Sequence, residues 1–174
     1  TTSILPTVTS GPFENMKKAV GDIAEAMKSG KCKSNILGAH MEGPYFSLKQ
    51  AGAQCPDYIT PPVKEDYESL IRDYPGIVKR FSYAPENDKG AEFTKFLVKN
   101  GIIAAIGHSD GKYQELKEAV DSGCHLVTHL YSGCSTITRD HGFRSLGVVE
   151  TAFLRDEIYA EIIADGKHLP PDLI

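Results

Sequence analysis

The chain has 174 residues, a formal net charge of −4 and 41% hydrophobic residues, which is enough for one domain with a real core. A slightly acidic chain lacks the basic surface of a nucleic-acid-binding protein. The sequence has no long apolar run and no signal peptide, so we expect neither membrane insertion nor secretion. Its four cysteines form no Cys-x-x-Cys pair, which disfavours a zinc ribbon and predicts free thiols in a reducing cytoplasm.

Strand-like and helical segments alternate along the chain. Apolar runs predict strands at Ser3–Val8, Asn35–Ala39, Ile77–Tyr83, Ile102–Ile106, His125–Leu130 and Tyr159–Ala164. Helical spacing predicts an amphipathic helix from Phe13 that Gly30 ends, then helices at Lys64–Asp73, Lys89–Asn100, Lys112–Asp121 and Leu146–Leu154. We expect a long polar loop at Ser47–Pro62 and an irregular one at Ser132–Arg144. Continuous apolar strands separated by helices are typical of an α/β fold with a parallel sheet.

Polar side chains recur where these apolar runs stop. Glu42 is followed by a Gly-Pro pair, and His108 and His129 each close a hydrophobic run. A fourth such end is the Asp165–His168 segment. In α/β barrels the carboxyl ends of the strands carry the chemistry, and one Glu with two His is a common catalytic zinc shell.

Five segments carry a resemblance to a known family. They are Gly38–Tyr45, Lys49–Gln54, Gly107–Ser109, Thr128–Tyr131 and Ala164–His168. Their order, spacing and flanking strands resemble the N-acetylglucosamine-6-phosphate deacetylases of the amidohydrolase superfamily. The resemblance implies a (β/α) barrel segment with strands two to seven of eight. Residues 1–174 would then be a partial catalytic domain, truncated at both ends, of a longer enzyme.

The family's activity implies metal-dependent hydrolysis of the acetamide of N-acetylglucosamine 6-phosphate, which gives glucosamine 6-phosphate and acetate in amino-sugar catabolism. By resemblance Glu42, His108 and His129 are metal ligands. The metal is expected to be zinc, although iron, manganese or cobalt would also suit these donors. The catalytic Asp that the family uses is expected beyond Ile174, so we expect this chain alone to be inactive. A homodimer is implied for the full-length enzyme.

The resemblance also implies a substrate-binding set for the phosphorylated amino sugar. Gln54 stands where the family commonly has a His beside the substrate carbonyl, and Gln can still donate a hydrogen bond there. Ser132 and Gly133 replace the usual Asn-Ala, and Arg139 is preferred over Arg144 as the phosphate ligand. The expected set is Ala53, Gln54, Ser132, Gly133, Arg139, Asp165, Gly166 and His168. His40 is expected to point inward as support for Glu42.

Two alternatives stay open at this point. Another amidohydrolase, such as a deaminase or a cyclic amidase, would use the same metal ligands on a different substrate. A non-catalytic sugar-phosphate-binding domain would keep the barrel and lose turnover. A strand ending in Thr/Ser-Asp beyond Ile174 would favour an enzyme. A serine hydrolase is excluded, because the sequence has no Gly-x-Ser-x-Gly elbow.

Overall fold

The computed structural model of the protein describes residues 1–174, apart from the side chain of Asp140. The strands are β1 (Ser3–Ile4), β2 (Thr7–Thr9), β3 (Asn35–Ile36), β4 (Ala39–Glu42), β5 (Val78–Tyr83), β6 (Ile103–Ile106), β7 (Leu126–Val127), β8 (Thr138–Asp140), β9 (Phe143–Ser145) and β10 (Tyr159–Ala160). The helices are α1 (Phe13–Ser29), α2 (Lys64–Asp73), α3 (Glu92–Lys99), α4 (Tyr113–Asp121) and α5 (Val148–Leu154). None of these helices combines the length and apolar character needed to span a bilayer.

The main sheet has six parallel strands in the order β10-β7-β6-β5-β4-β2. Strands that follow one another in the chain are therefore neighbours in the sheet, and helices connect most of them. All six carboxyl ends lie at one edge, so residues distant in sequence meet there. This arrangement confirms the predicted α/β fold with a parallel sheet.

Helix α1 shows why the sequence folds in this way. Its buried residues Met16, Val20 and Ala24 recur every four positions, which places them on one face against the sheet. The helix stops at Gly30, whose φ of 62° lies in the left-handed region that ends helices.

A cluster of aromatic rings fixes the strand that precedes the site. The Tyr45 ring stacks on Phe81 at 5.5 Å between centroids and meets Phe93 edge-on at 5.2 Å. All three rings are buried. Tyr45 follows Glu42 by three residues, so this packing anchors the end of β4 against β5 and α3.

Two predicted strands are divided in the structure. Ser3–Val8 forms β1 and β2, which belong to different sheets and are separated by Pro6, a residue without an N–H to donate. Asn35–Ala39 is interrupted at Gly38, whose φ is 145°, and the sheet strand runs from Ala39 to Glu42 instead. Glu42 therefore ends the strand itself and does not lie in a loop after it.

Other predicted bounds also need correction. His125–Leu130 and Tyr159–Ala164 were too long, because only Leu126–Val127 and Tyr159–Ala160 pair as strands. Helix α3 begins at Glu92 and not at Lys89, since Gly90 and Ala91 have φ values of 66° and 51°.

The expected irregular loop Ser132–Arg144 contains the antiparallel hairpin of β8 and β9. The turn residues His141 and Gly142 have φ values of 45° and 89°. Two successive positive φ angles are typical of the tight turns that favour hairpins, which explains why the chain reverses here.

Candidate metal centre

Three side chains converge at the carboxyl edge of the sheet. Glu42 ends β4, and His108 and His129 each lie two residues beyond β6 and β7. Oε1 of Glu42 is 3.1 Å from Nε2 of His108 and 3.4 Å from Nε2 of His129. One donor atom from each residue lies within 4.8 Å of the other two. The predicted convergence of these three residues is therefore observed.

Main-chain carbonyls fix the tautomer of both imidazoles. Nδ1 of His108 lies 2.8 Å from the carbonyl oxygen of Gln50, and Nδ1 of His129 lies 3.0 Å from that of Ser132. A carbonyl can only accept, so each Nδ1 carries the proton and each Nε2 presents a lone pair. Such an outer partner is usual for metal-binding histidines.

The lone pairs of both Nε2 atoms and of the Glu42 carboxylate thus face one another. Acceptors at these distances repel unless a cation lies among them. Ligands about 2.1 Å from a tetrahedral ion are about 3.4 Å apart, close to the observed 3.1 and 3.4 Å. The residues present fit a divalent metal ion.

The electrostatics of the cluster also favour positive charge. The neighbouring rings of His108 and then His129 hold the pKa of Glu42 well below its usual range, against the effect of burial. Burial alone would lower the pKa of His129, but the contact with Glu42 outweighs it and the net shift is upward. In the absence of a metal, protons would have to supply the charge that the carboxylate attracts.

The backbone turns sharply at both histidines. His108 and His129 have φ values of 46° and 36°, and Tyr131 has 80°. Non-glycine residues seldom adopt such angles, although His does so more readily than most. A residue with a left-handed backbone conformation cannot continue a β-strand, so both histidines turn the chain at the sheet edge.

A buried polar layer lies beneath the three ligands. Nε2 of His40 is 2.7 Å from the Ser82 hydroxyl, which in turn is 2.7 Å from the hydroxyl of Thr128. Burial, and next the charge of Arg80, lowers the pKa of His40 to about 3, so this ring is neutral. Arg80 pairs with Glu161 at 2.5 Å. The inward orientation expected for His40 is observed, and its support of Glu42 stays a prediction.

Gln54 lies beside the ligand carboxylate. Its Nε2 donates to Oε1 of Glu42 at 3.2 Å, and its Oε1 accepts from the main-chain N–H of Ser10 at 3.0 Å. Ala53, its neighbour, is exposed. Of the expected substrate-binding residues in the Lys49–Gln54 segment, Gln54 is thus the one that the structure brings to the ligands.

Ser132 contacts His129 through its main-chain carbonyl, and Gly133 lies beside His108. The Ser132 carbonyl accepts from His129, as described above. A Cβ added to Gly133 would lie 2.8 Å from Nδ1 of His108 and 3.2 Å from the carbonyl oxygen of Gln50. Ser132 therefore supports a ligand, Gly133 leaves the room that His108 occupies, and a role of either residue toward substrate stays a prediction.

The remaining expected substrate residues lie apart from the three ligands. Arg139 and Arg144 are exposed and lie opposite each other on the two strands of the β8–β9 hairpin. Their positions therefore do not favour one over the other as the phosphate ligand. Asp165 accepts from His168 at 2.8 Å, and these two residues and Gly166 are exposed. Within the described part of the chain, no hydrogen bond joins Arg139, Arg144, Asp165 or His168 to the three ligands.

Comparison with known proteins shows which proteins the chain is similar to. No protein-family model matches the chain. It is 36% identical over 171 residues to the N-acetylglucosamine-6-phosphate deacetylase of Haemophilus influenzae, covering 97% of this chain and 42% of that relative. Over nearly its whole length the chain is similar to N-acetylglucosamine-6-phosphate deacetylases.

Two further relatives bear on substrate and fold. The N-acetylgalactosamine-6-phosphate deacetylase of a Shewanella species is 34% identical over 172 residues, covering 98% of this chain and 41% of that relative. A mutant of the Mycobacterium smegmatis N-acetyl-D-glucosamine-6-phosphate deacetylase, solved in complex with N-acetyl-D-glucosamine-6-phosphate, matches with a TM-score of 0.89 at 26% identity. That match covers 99% of this chain and 43% of the other. The chain spans less than half the length of these relatives.

Proposed function

We propose that this chain supplies the metal-binding part of an enzyme that removes the acetyl group from N-acetylglucosamine 6-phosphate. The observation that carries the proposal is the convergence of three lone pairs from Glu42, His108 and His129 at the sheet edge. Similarity to deacetylases, one of whose structures holds this sugar phosphate, supports the substrate.

In this proposal Glu42, His108 and His129 hold a divalent ion, with zinc preferred for this donor set. A bound ion of this kind lowers the pKa of a water molecule and polarises an amide carbonyl. The carbonyls of Gln50 and Ser132 keep both Nε2 atoms directed at the site. The acid/base Asp implied by the resemblance is expected outside residues 1–174.

The other expected residues complete the proposal. Gln54 would donate to the acetamide carbonyl, and the main chain of Ala53, Ser132 and Gly133 would line the sugar. Arg139 would bind the phosphate as a charge-assisted, bidentate donor. Asp165, Gly166 and His168 would also contact the sugar.

Several wider features belong to the same proposal. Residues 1–174 would form strands two to seven of a (β/α) barrel within a longer catalytic domain, since the relatives are more than twice as long. Assembly as a homodimer and a cytoplasmic location remain predictions.

The test is acetate release by the protein of the relatives' length that carries this chain. We expect acetate and glucosamine 6-phosphate to form in equal amounts, with activity lost on chelation and regained with zinc. A control variant, His108→Ala, should bind no metal and release no acetate. Sugar phosphate that binds without acetate release, in a metal-loaded protein, would contradict the proposal and favour a non-catalytic binding domain.

One comparison supports a second substrate. A relative at 34% identity acts, by its name, on N-acetylgalactosamine 6-phosphate, which differs from the first sugar only at C4. The same assay run with both sugars decides between them through the ratio of the two kcat/KM values.

A further inference from the structure

The amide of Gln54 is held at both ends, which fixes its orientation. Its Oε1 accepts from the Ser10 N–H at 3.0 Å, and a main-chain N–H can only donate. The amide nitrogen must therefore be the end that faces Glu42, at 3.2 Å from Oε1. The assignment of oxygen and nitrogen, which is often ambiguous for Gln, is decided here by the network.

Gln54 contacts the same carboxylate oxygen of Glu42 that faces the two histidines. This oxygen, Oε1, lies opposite the Nε2 atoms of His108 and His129. A donor on this oxygen limits the rotation of the carboxylate. The Gln54 amide is held in place by Ser10, which directly follows β2. Thr9 of β2 pairs with Glu42 in the sheet, so Ser10 is fixed relative to Glu42.

The same loop also holds a second ligand. The 3₁₀ turn Leu48–Gln50 presents the Gln50 carbonyl to His108, four residues before Gln54 reaches Glu42. The Gln50 side chain points elsewhere and donates to Oδ1 of Asp110 at 3.1 Å. The segment between Ser47 and Gln54 is thus positioned to act on two of the three ligands.

We infer that Gln54 is a positioning residue that fixes the Glu42 carboxylate for metal binding, in addition to any contact with substrate. The inference rests on the proposed metal site. An amide has two N–H groups, so donation to Glu42 leaves one free for an acetamide oxygen. A residue that only contacts substrate would affect kinetics, whereas a positioning residue also affects metal affinity.

The experiment compares Gln54→Leu with the matched control Gln50→Leu. Both changes remove a glutamine side chain from the same loop, but the second leaves the Gln50 carbonyl on His108. Zinc dissociation constants are measured by competition with a chromogenic chelator, with the unfolding temperature of the metal-free proteins recorded alongside. We expect Gln54→Leu to bind zinc about 10- to 100-fold more weakly, the range for losing an outer-shell partner. Gln50→Leu should bind within about threefold of the parent, and Gln54→His, which keeps a donor, should recover part of the affinity.

The outcomes separate this inference from the proposed function. If the parent protein binds no zinc, the proposed function fails, and with it the basis for this inference. If the parent binds zinc and Gln54→Leu binds equally well, Gln54 does not position Glu42. Equal weakening by Gln50→Leu would also overturn the inference, because the effect would then belong to the loop. A lower unfolding temperature for metal-free Gln54→Leu with unchanged zinc affinity would assign Gln54 a structural role only.

Discussion

Gly133 is the position where the smallest change should disturb the site most. It has φ +59°, and an added Cβ would lie 2.8 Å from Nδ1 of His108 and 3.2 Å from the carbonyl oxygen of Gln50. These two atoms are themselves hydrogen-bonded at 2.8 Å. The methyl group of Gly133→Ala must therefore push His108 away from its partner.

The expected effect of Gly133→Ala has two parts, a loss of stability and a loss of metal affinity. A left-handed alanine costs about 1–2 kcal/mol whatever its surroundings. Loss of the outer partner of a metal-binding histidine weakens metal binding by about 10- to 100-fold, or roughly 1.4–2.7 kcal/mol. Gly30→Ala is the control that shows the backbone cost alone, because Gly30 has φ +62° and no atom lies within 4 Å of its added Cβ.

The assay is zinc affinity by chelator competition together with urea unfolding of the metal-free proteins. We expect both variants to lose about 1–2 kcal/mol of stability from the backbone conformation, and only Gly133→Ala to lose zinc affinity. Parent-like zinc affinity in Gly133→Ala would refute the reasoning, because it would show that the Gln50–His108 hydrogen bond does not prepare His108 for metal.

Three other predictions follow from the same structure. Glu42→Gln keeps the shape but removes the anionic ligand, so metal analysis after dialysis should find no stoichiometric zinc. Burial raises the pKa of the Cys124 thiol to about 12 and that of the Cys134 thiol to about 11. Alkylation of the folded protein, read by mass spectrometry, should therefore be confined to the exposed Cys32 and Cys55. In urea all four cysteines should be alkylated. The pKa of His40 falls to about 3 through burial and the Arg80 charge, so below pH 6.5 the unfolded chain takes up a proton that the folded one does not. Metal-free protein should therefore lose up to about 1.4 kcal/mol per pH unit between pH 6 and 4, and urea titrations of His40→Gln should show a shallower dependence.

The sequence predicted most of the sheet because apolar runs mark several of its strands. Ile102–Ile106, for example, is continuously apolar, three of the four residues of β6 are buried, and the polar residue His108 follows shortly after the run. For that reason Glu42, His108 and His129 could be grouped before their geometry was known. Their resemblance to a deacetylase family added the ligand assignment, which stays a proposal.

The supporting contacts could not be predicted, because main-chain atoms supply many of them. Any residue type at position 50 or 132 offers the same carbonyl. The residue types Gln and Ser at these positions therefore do not predict the tautomers of His108 and His129. The hairpin was missed for a different reason. Its signal is the pair His141-Gly142, which differs from the Asn-Gly and Asp-Gly pairs that typically mark such a turn.

The left-handed φ angles at His108 and His129 restrict how this site can change its metal preference. Only a few side chains, chiefly Asn, Asp and His, tolerate that backbone conformation well. A thiolate placed at either position would have to bear backbone strain in addition to its new coordination. Glu42 lies in a regular strand and has no such restriction. Evolution or design toward a softer metal should therefore begin with Glu42→Cys and leave both histidines unchanged.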